Sequence, residues 1–169
     1  MPNPCSLCAA HCCKNYLITV TSFDVLRIVQ ETGKKPGEFV QLVPARILNP
    51  DNEAILECYE GKERYEYLLT FYSHPCYFLK DNRCSIHEIA PLACRLYPYN
   101  ANGKMVPRAL CPTIPKLLFR LKGADIRVQQ YEKQMEAYKK IVAKWNVRHG
   151  KKEDCLEFLL KETANHTNY

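Results

Sequence analysis

Ten cysteines in a chain of 169 residues constrain this sequence more than any other feature. Eight of them fall into two groups, Cys5, Cys8, Cys12 and Cys13 first, then Cys76, Cys84, Cys94 and Cys111. A chain of this length buries roughly 70% of the surface its unfolded form exposes, so it needs no disulfide staples to hold a core. No basic-then-apolar leader opens it, and no apolar run approaches the ~18 residues of a membrane span, which predicts a soluble, cytoplasmic protein. In a reducing compartment clustered thiols hold metal or do redox chemistry more often than they pair as disulfides. Metal binding is the expectation.

Several other chemistries are excluded. The six glycines are isolated, so no G-x-G-x-x-G dinucleotide loop exists. Gly33, Gly61, Gly103 and Gly150 each precede lysine, but none has a glycine five residues earlier, and no P-loop can be built. Ser6, Ser22, Ser73 and Ser85 are the only serines; none lies between two glycines as a nucleophile elbow requires, and H-E-x-x-H is absent. No catalytic residue is assigned.

The chain organises in three parts. After the Cys-rich opening, Tyr16 to Val20 reads as a short strand. Thr21 then caps a helix, with Asp24 in capping-box position and Gly33 placed to end it. The middle is β-like, with strands expected over Phe39–Val43, Ala54–Tyr59 and Arg64–Phe71, and a turn at Glu60-Gly61-Lys62. Tyr65, Tyr67, Leu69 and Phe71 alternate as a half-buried strand should. A second hairpin turns at Lys80-Asp81-Asn82-Arg83, followed by a short helix over Glu88–Arg95 and a Pro-punctuated stretch to Pro115. The last third is helical: Tyr131, Met135, Tyr138, Val142 and Trp145 form one stripe over Ile126–Arg148, Gly150 ends that helix, and Glu153–Ala164 forms another.

The thiol spacing carries the chemistry. C-x2-C lets two thiolates grip one ion, since the loop can fold both sulfurs inward to the ~2.3 Å of a zinc–thiolate bond. Neighbouring side chains tend to diverge, so Cys12 and Cys13 are expected to serve different sites, or only one of them to be a ligand. Eight thiolates make two complete four-ligand sets, which favours two nearby metal sites drawing on both groups. Pro75, Pro91 and Pro112 stiffen the backbone around the second group. Cys58, on a strand, and Cys155, on a helix face, read as small apolar core residues. His11 and His87 lie within reach of the thiols, as partners that orient ligands or as merely polar neighbours, and Arg95 beside Cys94 either offsets thiolate charge or pairs structurally.

The segments MPNPCSLCAAHCCKNYLITVTSFDVLRI and CYFLKDNRCSIHEIAPLACRLYPY resemble, in order, the two blocks of the cysteine-cluster family of zinc- or iron-chelating proteins (the YkgJ type). That pattern is C-x2-C-x3-C-C, a threonine-to-aspartate helix start, C-x7-C-S-I, and P-x2-C-R-x-Y-P. The likeness spans roughly residues 5 to 112 and ends on Cys111-Pro112. Here His87 stands where the family usually has tyrosine, and Ala90 where arginine usually precedes the proline. The resemblance implies metal binding by the eight clustered cysteines. Related domains are called Fe–S-cluster-containing, and one branch, the cysteine domain of flagellin lysine N-methylases, is linked to methylation. No S-adenosylmethionine loop is visible to support a methyltransferase acting alone.

Formal net charge is +6, unevenly spread. Residues 116 to 152 hold eleven Lys/Arg against three Asp/Glu. On the long helix Lys133, Lys140, Lys144 and Arg148 share roughly one face, which can meet nucleic acid or an acidic protein, or can simply be solvated.

The expected fold is α+β: a small, mostly antiparallel β region and short helices around a Cys-ligated metal centre, with a helical C-terminal part. Residues 1–115 form the cysteine-cluster metal-binding domain, and 116–169 a helical C-terminal extension packed on it. The favoured function is an iron–sulfur protein, carrying a 4Fe–4S-type cluster in a redox or accessory role within a larger enzyme system. The alternative is a zinc-binding structural or interaction module presenting its basic helix to RNA or a protein partner. All-sulfur ligation leaves iron and zinc unseparated at this level.

Overall fold

Thr21 starts the first long helix as its chemistry dictates. In the computed structural model, which describes residues 10–47, 52–72, 75–97 and 124–167, Thr21 is extended and its side chain accepts from the Asp24 N–H. Asp24 reaches back to the Thr21 N–H, completing the capping box. The helix, α2 (Ser22–Thr32), follows a single-turn α1 (His11–Asn15) and ends on Gly33 at φ 67°, a left-handed cap that glycine adopts without Cβ strain. Val25 and Ile28 on its inner face are fully buried.

Three strands build the main antiparallel sheet: β1 (Val40–Pro44), β2 (Leu56–Glu60) and β3 (Glu63–Phe71), in the order β1-β3-β2. Gly61 at φ 64° makes the tight β2–β3 turn, and the register sets Leu42 opposite Leu69 and Cys58 opposite Tyr65. The segment expected as a strand at Tyr16–Val20 forms a bridge only, Thr19 opposite Thr70. It is held by Val20 N–H to Leu69 O and Phe71 N–H to Ile18 O, both 3.0 Å.

Burial along β3 departs from the expected alternation. Residues 63–66 are exposed on both faces, Tyr65 included, whereas 68–71 are buried on both. The reason is coverage. The end of this central strand has Leu69 and Phe71 in the main core on one face, while Leu68 packs with Val43 and Ala45 on the other.

A two-stranded ribbon, β4 (Leu79–Lys80) and β5 (Arg83–Cys84), turns at Asp81 and Asn82, both with positive φ as a tight hairpin requires. The single helix expected over Glu88–Arg95 is broken in two. His87–Ile89 is a 3-10 turn, and α3 runs Leu92–Leu96. Pro91 between them lacks an N–H donor and pushes Ala90 into extended backbone.

Helices α4 (Ala124–Val147) and α5 (Lys152–Thr167) form the C-terminal hairpin. Tyr138, Val142 and Trp145 of the predicted stripe are buried, joined by Ile141, and they share one hydrophobic core with α2, the sheet and Phe78. A Cβ on Gly150 would run into the Trp145 ring, so only glycine fits the turn over the indole. The end of α4 lies along the outer side of β2. Asn146 accepts from the Glu57 N–H and donates to Ile55 O, Trp145 Nε1 donates to Glu57 O, and Gly150 O accepts from the Tyr59 N–H, each at 2.9 Å. The architecture is α+β, with a small antiparallel sheet and C-terminal helices. Among the described residues no helix is long and apolar enough to cross a membrane.

Candidate metal centre

The fold brings the two cysteine groups together through backbone as well as side chains. Ala10, in left-handed conformation, launches α1, and this short helix carries Cys12 and Cys13. The Cys76 N–H then donates to Cys13 O at 2.8 Å, joining the start of the second group to the end of the first. Cys84 enters at the end of the β4–β5 ribbon, and Cys94 enters from α3. Cys5, Cys8 and Cys111 lie outside the described residues.

Cys12 and Cys13 do not diverge. Their sulfurs stand 3.9 Å apart. On a one-turn helix successive side chains leave the axis about 100° apart, a spread that two flexible thiol-bearing side chains can close.

Burial and mutual hydrogen bonding set the electrostatics of these thiols. Hydrogen bonding to Cys13, then burial, raises the Cys12 thiol far above its ordinary value. For Cys13 the bond to Cys12 lowers the value, but bonding to Cys76, burial and the nearby Cys76 and Cys84 outweigh it and push it up to about 12. Cys76 is lowered, because it gains its bond from Cys13. Burial raises Cys84, with Cys12 adding to it. Burial also raises Cys94 strongly, and Cys12, Cys13, Cys84 and Asp24 add to that. Gathered thiolates repel one another, and a bound cation reverses the sign of that effect for all of them together.

His11 Nδ1 lies 3.3 Å from the Asn15 amide on its own helix, and His87 Nδ1 lies 3.9 Å from the exposed Glu88 carboxylate. Among the described residues no three His, Cys, Asp or Glu side chains are already closed around a single point. A shallow groove of about 420 Å³ runs between the end of α2 and residues 84–89, with Cys84 and His87 in its wall. The thiols brought together are soft donors of the kind zinc and iron take, so the donor set fits either metal.

Cys58 and Cys155 are buried in the main core as neighbours of each other, and neither is among the groups that shift the clustered thiols. Bonding to Cys155 lowers Cys58, and the same bond together with burial raises Cys155. Their proximity had no signal in the sequence, since 97 positions separate them. Cys58→Ala and Cys155→Ala should each retain full metal stoichiometry while losing about 1–2 kcal/mol of stability through packing. Metal analysis beside thermal melting checks this, and loss of a metal equivalent in either variant would redraw the ligand set.

The basic face of α4 is partly engaged within the protein. Lys144 pairs with Glu162 at 2.8 Å, and the Arg148 guanidinium lies 4.8 Å over the Phe158 ring, while Lys133 and Lys140 are exposed.

A gathering of soft thiols on an α+β scaffold is the site of a metal-chelating protein. The chain belongs to the CxxCxxCC family, whose model, described as a putative zinc- or iron-chelating domain, matches residues 4–112. No curated protein and no solved structure matches the chain.

Proposed function

We propose that the chain is an iron–sulfur protein with a redox or accessory role in a larger enzyme system, its metal held by Cys5, Cys8, Cys12, Cys13, Cys76, Cys84, Cys94 and Cys111. The observation that carries this reading is the convergence of Cys12, Cys13, Cys76, Cys84 and Cys94, from both groups, with thiols that mostly destabilise one another's charge. Eight thiolates are the number that two four-ligand sets require. The compressed C-x2-C-x3-C run and the closing Cys111-Pro112 are similar to cysteine runs that feed cubane clusters, which favours iron. When bound, a cluster of this kind supplies one-electron transfer.

This chain's own residues then have three tasks. The Cys13–Cys76 backbone bond sets the distance between the two groups. Phe78, buried just before the ribbon, meets Phe39 at a tilt with centroids 5.3 Å apart and Phe71 edge-on at 5.4 Å, an apolar backing between the second cysteine group and the sheet. The exposed Lys133 and Lys140, with the tethered Lys144 and Arg148, offer a surface to a protein partner, or to nucleic acid. The expected setting is cytoplasmic.

The second reading is a zinc module, favoured by the C-x2-C step that begins many zinc sites. In that role the ion would fix the two groups to each other and leave the basic helix as the working surface. Anaerobic purification separates the readings. Iron–sulfur protein should be brown, contain inorganic sulfide, and bleach on reduction or exposure to air. A colourless preparation holding two zinc ions and no sulfide would overturn iron and leave the eight-thiolate assignment standing.

A further inference from the structure

Asp24 is an ionisable residue only 1% exposed, and it does more than cap its own helix. Its Oδ2 accepts from the Thr21 N–H at 3.0 Å and from the Thr21 hydroxyl at 2.8 Å. Its Oδ1 accepts from Arg27 Nη2 at 2.6 Å and from the Leu92 N–H at 3.2 Å. All four acceptor positions of an ionised carboxylate are thus used. Arg27 completes a clasp, donating from Nε to Ile89 O and from Nη2 to Ala90 O, both at 3.2 Å.

The three backbone groups so held belong to one turn, Ile89-Ala90-Pro91-Leu92, which leads directly into α3 and Cys94. Local bonds hold that turn only in part: the Ile89 and Ala90 N–H groups donate back to Ile86 O and His87 O, and the Arg95 N–H donates to Pro91 O. Pro91 sits at the N-cap with no side-chain bond, and a helix of five residues is far below the length that helix propensity alone sustains. Its first N–H is one of the donors a helix start leaves without an intrahelical partner. The acceptor comes instead from a helix 68 residues earlier in the chain. One carboxylate therefore caps two helices. From α4, Gln134 donates to the Thr21 hydroxyl oxygen at 2.7 Å, bracing the clasp from its other side.

The geometry points to Asp24 and Arg27 as positioning residues for Cys94: they hold the turn that presents this thiol to the other cysteines. This deepens the proposed function and rests on Cys94 being a ligand. Neither side chain needs to touch the metal. Each acts through the backbone of residues 89–92.

Cobalt(II) titration of the metal-free full-length chain, under anaerobic conditions, is the test, because the absorption bands of bound cobalt report how many thiolates surround it. Arg27→Gln removes the bonds to Ile89, Ala90 and Asp24 at a side chain 28% exposed, so no large apolar group leaves the core. Arg27→Gln and Asp24→Asn should each weaken cobalt binding about 10- to 100-fold and lower the thiolate-to-cobalt band, as loss of a ligand-orienting partner does. Arg27→Lys, which keeps the charge and one donor group, should recover part of the loss. Ser22→Ala, which breaks the buried Ser22–Thr163 pair at 2.6 Å, is the control: it should lower melting without altering the cobalt bands.

Unchanged cobalt affinity and band intensity in Arg27→Gln would overturn the positioning role, and that variant decides the matter if Asp24→Asn does not fold. Cys94→Ser, titrated in parallel, separates the two layers of the argument. Wild-type cobalt binding by Cys94→Ser would remove Cys94 from the ligand set. Loss in Cys94→Ser with none in Arg27→Gln would strike the clasp alone.

Discussion

Cys94→Ser should lose metal and much of its stability together, and Cys8→Ser should do the same from the other end of the ligand run. Ligands separated by up to about 100 residues join the amino terminus to the second cysteine group, so binding energy becomes folding energy. Structural zinc sites bind with about 10–16 kcal/mol, comparable to the whole ~5–15 kcal/mol stability of a domain. Disabling one ligand should cost about 4 kcal/mol or more, which for a chain of this size is a drop of about 8–16 °C in melting temperature. Chelator-treated wild type should melt near the variants, and chelation should add little to the loss in Cys94→Ser. Equal metal content and unchanged melting in both variants would remove the case for the constellation.

The same thiols give the two forms opposite responses to pH. In the metal-free protein Cys12, Cys13, Cys84 and Cys94 are raised above the ordinary 9.0, with Cys76 alone among the described cluster lowered. The unfolded chain therefore releases these protons first, so the stability their burial allows is present below pH 9 and is lost as pH rises beyond it. Metal-loaded protein needs its thiolates and should lose stability as pH falls instead. Melting curves of both forms across neutral to alkaline pH would show the crossing trends.

Trp145→Ala should be the most damaging single change in the apolar core. The indole is 2% exposed, packs at 5.3 Å on Phe158, lies beneath Gly150, and donates to Glu57 O. Truncation removes all of these at once and should cost about 3–5 kcal/mol. Trp145→Phe retains much of the volume but leaves the Glu57 carbonyl without its donor, at about 1–3 kcal/mol. Denaturant unfolding followed by circular dichroism ranks the two. A loss in Trp145→Ala below that of Trp145→Phe would contradict the packing described here.

Local signals were legible and remote ones were not. The capping box at Thr21 and Asp24, the Gly33 stop, the Gly61 turn and the Asp81-Asn82 hairpin depend on residues within a few positions, and each is where its chemistry places it. The apolar stripe on α4 is also local, and its members Tyr138, Val142 and Trp145 are buried as a stripe predicts. Pro91 is visible in the sequence, but the periodicity around it reads as one helix, whereas a proline inside an apolar pattern ends one turn and starts another. The alternation on β3 does not carry through to burial, because residues 63–66 pair with β2 alone while the far end of the strand is covered on both faces. Asp24 shows the deeper limit. Its capping role is readable from Thr21 three residues away, but its bond to Leu92 depends on how the chain returns 68 residues later. Of the ligand set, residue type and spacing pointed to a metal, while which sulfurs face one another is decided by the fold.

The contact between α4 and β2 sets a limit on how this chain can be divided. A strand at the rim of a sheet exposes a row of backbone donors and acceptors that will template another strand. On β2 that row is already answered at Ile55, Glu57 and Tyr59 by Trp145, Asn146 and Gly150. A fragment stopping at residue 115 would keep all eight clustered cysteines and shed that cover. It would be a metal-binding half with a bare edge, prone to strand addition between copies before any question of its metal arose. The helical hairpin is, in this respect, a guard against self-association that the cysteine-bearing part does not carry for itself.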